Sequence, residues 1–142
     1  MDIDYIFLAD HAVVPPDGKV YVNGGGITGL AVQQLPARVV FAVVGGFRFS
    51  VDDVGKTIRF EVRLVDADDK LVVPPLDLQF QLNGAPAPDG RDLTLPAVAY
   101  MSPMFATPGL YRVQVWHDGG LIHTIKLPVE EQQPPEQGAR PN

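Results

Sequence analysis

"VNGGGITGLA", Val22 to Ala31, contains Gly24-x-Gly26-x-x-Gly29, the spacing with which dinucleotide-binding folds wrap a pyrophosphate. If these glycines hold phosphate, the fold is α/β; if they only turn the backbone, it is free to be all β. A phosphate site needs a strand before the glycines, a helix opening on them, and usually an acid about 20 residues later for the ribose. The strand is present as "VYV", Val20 to Val22, but Pro36 stops "ITGLAVQQL" short of the roughly ten to twelve residues a crossover connection requires. Gly24 and Gly29 also stand at P-loop spacing, yet Leu30 and Ala31 occupy the places of the lysine and hydroxyl residue that would hold phosphate and Mg²⁺. The glycines therefore read as a turn needing positive φ or a close backbone crossing, and no cofactor is expected.

Outward from that stretch the sequence is rich in strands. Tyr5 to Val14 is strongly apolar, and "PPDGK", Pro15 to Lys19, turns it back toward Val20. "VVFAVVGGFRF", Val39 to Phe49, is a second β-rich run, with Gly45-Gly46 a bulge or close-approach point. "SVDDVGK" connects it to "TIRFEVRLVD", Thr57 to Asp66, where Ile58, Phe60, Val62 and Leu64 alternate with Arg59, Glu61, Arg63 and Val65, a period of two with one dry face. "LDLQFQL", Leu76 to Leu82, alternates again. "LTLPAVAYM" reads as an edge or irregular strand, because Pro96 cannot donate to a ladder. Leu110 to Val129 forms a hairpin about Asp118-Gly119.

Short strands at this spacing, with Pro/Gly turns and no amphipathic helix, predict an all-β protein. The expected form is an antiparallel two-layer β-sandwich, immunoglobulin-like or C2-like, with eight or nine strands; a β-barrel satisfies the same pattern. The 142 residues, 46% of them apolar and 20% charged, suit one domain over 1–129. Residues 130–142, "EEQQPPEQGARPN", offer little to bury and read as a flexible tail.

"LADHAVVPPDGKVYVNGGGITGLAVQQLP", "GKTIRFEVRLVDADDKLV" and "PGLYRVQVWHDGGLIHTIKLPV", in that order, resemble an uncharacterised bacterial family of small β-sandwich proteins, a domain of unknown function, over Tyr5 to Val129. The resemblance implies the sandwich fold and carries no activity, catalytic residue or cofactor. The triple glycine Gly24 to Gly26 departs from the family pattern, whose members have fewer glycines there.

Seventeen acids against eleven bases give a formal charge of −6 with no Lys/Arg cluster, which argues against nucleic acid and anionic membranes as partners. Cysteine is absent, so thiolate chemistry and disulfides are excluded. Acids near the start, and the lack of an apolar run of about 18 residues, set the expectation of a cytoplasmic protein. His11 and His117 each neighbour an aspartate, but adjacent strand residues point to opposite faces; Asp10 is therefore not expected to orient His11, and the same geometry weakens His117 with Asp118, though the turn there relaxes it. Ser50 and Ser102 sit in loops without a suggestive histidine. Asp66, Asp68 and Asp69 are candidate oxygen ligands for Ca²⁺, though three acids in one turn are more often a solvated reversal. No metal is expected, and no catalytic residue is assigned.

The expected function is non-enzymatic: a structural or protein-interaction module acting through self-association or docking to a larger assembly. Val39 to Phe49 has Arg48 as its only charged side chain, more apolar than a half-solvated strand needs. Val40, Ala42, Val44 and Phe47 form the expected surface, unless the N-terminal strand or the Asn83 to Asp92 loop covers it. The alternative is a small-ligand binder or enzyme with a pocket at one end of the sandwich, near Tyr100, Phe105, Trp116, His117 and His123, with Tyr111 nearby.

Overall fold

The structure, a computed structural model, describes residues 1–83 and 92–132. It contains eleven strands: β1 (Asp2–Val13), β2 (Tyr21–Gly25), β3 (Leu30–Val32), β4 (Ala37–Arg38), β5 (Phe41–Phe49), β6 (Thr57–Val65), β7 (Leu76–Gln81), β8 (Leu93–Met101), β9 (Met104–Phe105), β10 (Gly109–His117) and β11 (Gly120–Glu131). The only helix among the described residues is one 3₁₀ turn, Val51–Asp53. Ser50 caps it, its hydroxyl accepting from the Asp52 amide at 3.2 Å, which supplies an acceptor for an otherwise free N–H.

The strands form a four-stranded sheet in the order β2-β1-β5-β8, a five-stranded sheet in the order β3-β11-β10-β6-β7, and a two-stranded ribbon of β4 and β9. The all-β, sandwich-like expectation holds. Two details differ from it. The described residues form eleven strands, because β3, β4 and β9 are only two or three residues long and leave no period to read. One pairing is parallel, β3 against the end of β11, with Val129 opposite Leu30.

Alternation places the core between the sheets. Ile58, Phe60, Val62 and Leu64 of β6 are all buried, and they meet Val43, Phe47 and Phe49 of β5 across the layers. Phe47 stacks on Phe60 with ring centroids 4.3 Å apart. At the other end Phe105 meets Tyr111 edge-on at 4.8 Å, and the Tyr111 hydroxyl donates to the Thr107 carbonyl at 2.6 Å. A tyrosine near the start of a strand, bonded to the backbone a few residues upstream, is the tyrosine corner of Greek-key sandwiches. It lets a large side chain fill the core while its hydroxyl is satisfied.

The turns form where the sequence puts them. The Gly18 amide donates to the Pro15 carbonyl at 3.0 Å with Gly18 at φ +77°. Asp118 and Gly119 both have positive φ, 49° and 77°, as a two-residue hairpin requires. β8, with Pro96, is an edge strand. β11 runs on to Glu131, two residues past the expected domain end. The Gln132 amide reaches the Val32 carbonyl, and the Glu131 carboxylate accepts from the Leu35 amide at 3.0 Å. The remaining tail expectation, over 133–142, lies outside the described residues, as do residues 84–91 of the expected covering loop.

Candidate interaction face

The opening glycines have backbone tasks. Gly24 lies at φ +64°, and a Cβ there would fall 2.1 Å from Asp10 Oδ2. Gly26 lies at φ +84°, a turn that brings its own amide and that of Ile27 to one acceptor, the Leu8 carbonyl, at 2.8 and 3.0 Å. A Cβ on Gly29 would press on Pro128 at 3.3 Å, where the backbone enters β3 beside β11. The positive φ of Gly24 and Gly26 favours glycine and the backbone at Gly29 passes close to Pro128, and a strand follows them where a phosphate site needs a helix.

Gly45 and Gly46 are close-approach points. The Phe47 ring lies 2.8 Å from where a Gly45 Cβ would stand, and the Tyr5 ring 2.3 Å from the corresponding point on Gly46. The β-bulge falls on the neighbouring strand, where Ile3 pairs with Phe47 and Tyr5 with Gly46, leaving Asp4 unpaired. The Asp4 carboxylate takes Arg48 at 2.8 Å.

The expected surface on β5 does not form one face. Ala42 and Val44 do point away from the interlayer core, but both are fully buried. Phe7, Ala9, Ala12, Val20 and Val98 cover them, so the N-terminal hairpin supplies the cover that the apolar run demanded. Phe47 points the other way into the core, since an odd position falls opposite the even row Val40, Ala42 and Val44. Of the four residues only Val40 is open, at 57% exposure.

What remains open lies along the margin of this cover. Tyr100, the cross-strand partner of Ala42, sends its ring across β5 to β1. There its hydroxyl donates to the Ala12 carbonyl at 2.5 Å and accepts from the Ala12 amide at 3.0 Å. Between this strap and the hairpin runs a groove of about 400 Å³ whose walls include Val13, Val14, Phe80, Pro96, Val98 and Tyr100, with no charged side chain among its lining residues. Val13 is 46% exposed, its cross-strand partner Tyr21 49% and Tyr100 44%. The Tyr21 hydroxyl donates to Asp17 Oδ2 at 2.6 Å, and the Lys19 amide donates to Oδ1. These bonds hold the Asp17 carboxyl below the usual carboxylate range, the Tyr21 bond contributing most, and push the Tyr21 phenol up.

The other sheet's outer face is polar. Arg63 lies 4.2 Å over the Trp116 ring and pairs with Glu61 at 2.5 Å, a bond that raises the guanidinium pKa further. The indole N–H donates to Gln114 at 3.2 Å. An open cleft of about 210 Å³ beside them is lined by Arg59, Asp77 and Asp118 as well, a mixture of signs that selects no single ligand charge.

The five residues of the expected end pocket are dispersed. Phe105 is core, Tyr100 lies on the outer face of the first sheet, and Trp116 on the outer face of the second. His117 packs against Phe60, ring centroids 5.1 Å apart, with Nδ1 3.1 Å from the Arg59 carbonyl oxygen and Nε2 3.2 Å from the Asp118 carboxylate. The turn does relax the strand geometry for this pair: the left-handed backbone of Asp118 brings its side chain back to the ring. His123 pairs with Val115 across the ladder and joins none of the others. His11 packs near Tyr100 at 6.0 Å.

In the acidic turn, Asp66 Oδ1 accepts from the Asp68 and Lys70 amides at 2.8 and 3.0 Å, and Asp69 pairs with Arg112. Among the described residues no group of three or more His, Asp or Glu side chains is placed to hold a metal ion.

A family model described as a family of unknown function, DUF6941, matches residues 4–130. The chain belongs to this family. The DUF6941 match begins two residues into β1 and ends one residue before the end of β11, so the family's unit includes both sheets and the hairpin that covers β5. No curated protein matches the sequence.

Sequence reasoning missed Val13, Tyr21 and Val98 as members of the open face. The available signal was "VVPPDGKVYV", a hairpin tip apolar on both arms where a solvated tip would be polar.

Proposed function

We propose that the protein works without chemistry of its own, as a structural or protein-interaction module that binds through the margin of the β2-β1-β5-β8 sheet, by self-association or by docking to a larger assembly. The observation that carries this reading is the uncharged groove lined by Val13 and Tyr100, both left half-exposed, on a sheet whose Ala42 and Val44 are covered from within the molecule. Exposed apolar side chains gathered around a groove mark contact sites, and tyrosine supplies contact area at low entropic cost. The dispersal of the histidines and aromatics weighs against an end-pocket enzyme. A formal charge of −6 without a basic cluster favours a protein partner over nucleic acid. Among the described residues no helix is long and apolar enough to cross a membrane. The cytoplasm is the proposed setting.

The test places a charge at Val13, which lines the groove, and at Val40, an open residue of the same sheet. Val13→Lys should leave the circular dichroism spectrum and cooperative melting intact while abolishing the assembled species in sedimentation, or the retention of a native partner, and Val40→Lys should weaken either one. A Val13→Lys variant that assembles and binds like the wild type would sink this reading.

A further inference from the structure

We infer that Asn23 is a site of spontaneous covalent modification, in which the Gly24 amide nitrogen attacks the carboxamide carbon of Asn23. The new N–C bond closes a succinimide, the original carboxamide C–N bond breaks, and ammonia leaves carrying the proton of the Gly24 amide. Water then opens the ring to an aspartyl or isoaspartyl residue, with no change of oxidation state.

Three observations carry this inference. Asn23 is followed by a residue with no side chain to hinder its nitrogen. Gly24 sits at φ +64°, outside the strand range, between the register pairs His11 with Asn23 and Ala9 with Gly25. β2 is a five-residue edge strand with every residue exposed, the kind of element that opens at low free energy. Glycine is also favoured after Asn23: Gly24 has the left-handed φ, and a Cβ there would have to displace the Asp10 side chain. The aspartyl product puts a carboxylate opposite His11, and the isoaspartyl product lengthens the backbone by a methylene and breaks the β2 register.

The experiment uses the full-length protein. After incubation at mildly alkaline pH, trypsin releases Val20 to Arg38, in which Asn23 is the single asparagine. Fragment masses should place an acid at position 23 in two chromatographic forms, absent from Asn23→Gln, while the same protein unfolded in guanidinium gives the unprotected rate. Conversion in the folded protein within about tenfold of that rate, the ratio set by an opening of about 1.4 kcal/mol, supports the site. Conversion slower than that, or none, overturns it.

Discussion

Gly45 and Gly46 stand side by side on β5, each under an aromatic ring, yet substitution at the two should differ. Phe47, above Gly45, is buried and stacked on Phe60, so its ring can shift only within the core; Gly45→Ala should cost about 1–3 kcal/mol, the usual penalty of overpacking. Tyr5, above Gly46, is 38% exposed and free to swing outward, so Gly46→Ala should cost less than Gly45→Ala in urea unfolding. The Asp17 carboxyl supplies a titration at the same scale. Its folded pKa is depressed, so the stability it contributes is present above the unfolded carboxylate pKa and lost as pH falls through the folded value. Tyr21→Phe removes the largest cause and should move the Asp17 titration upward in side-chain NMR, toward the ordinary carboxylate range; an unmoved titration would mean the phenol is not its main partner. The role of Gly24 was legible in sequence because Pro36 forbade a helix after it. Its contact with Asp10 was not legible, because that depends on a cross-strand register fourteen residues away.

Among elements, β6 was the most legible, because one of its faces is wet and the alternation of Ile58 to Leu64 stands out. β5 carried half its message: its unbroken apolar run meant burial on both faces, but a run cannot name what covers it. Ala42 and Val44 of the outward row are sealed by β1, Val20 and Val98. Val44→Lys should therefore unfold the domain, since an unpaired ammonium buried there costs several kcal/mol, whereas Val40→Lys, one residue before the strand and open to water, should melt near the wild-type temperature. A folded Val44→Lys domain would mean the hairpin lifts away easily. β3 escaped notice because three residues carry no period and their partner is a hundred positions away. A protein ending at Val129 loses the Glu131 and Gln132 bonds to Leu35 and Val32; it should be less stable than one ending at Gln132 by about 1–3 kcal/mol, read from paired denaturant curves.

For the whole molecule the balance of charge and apolar margin makes a further prediction. Copies carrying a formal charge of −6 repel one another at low ionic strength, while the groove offers no charge to screen. Any self-association through it should strengthen as salt is raised and the repulsion is screened. Sedimentation at low and high salt checks the sign, and weakening with salt would point to an ion-paired interface elsewhere. The order of the second sheet, β3-β11-β10-β6-β7, also governs the birth of the molecule. Its interior strand β11, seated between β10 and the early β3, follows every other strand of that sheet along the chain. During synthesis β6 and β7 emerge with half their sheet missing, and β3 waits for a partner about a hundred residues further on. Until β11 arrives, the nascent polypeptide must leave part of one apolar layer of its sandwich uncovered.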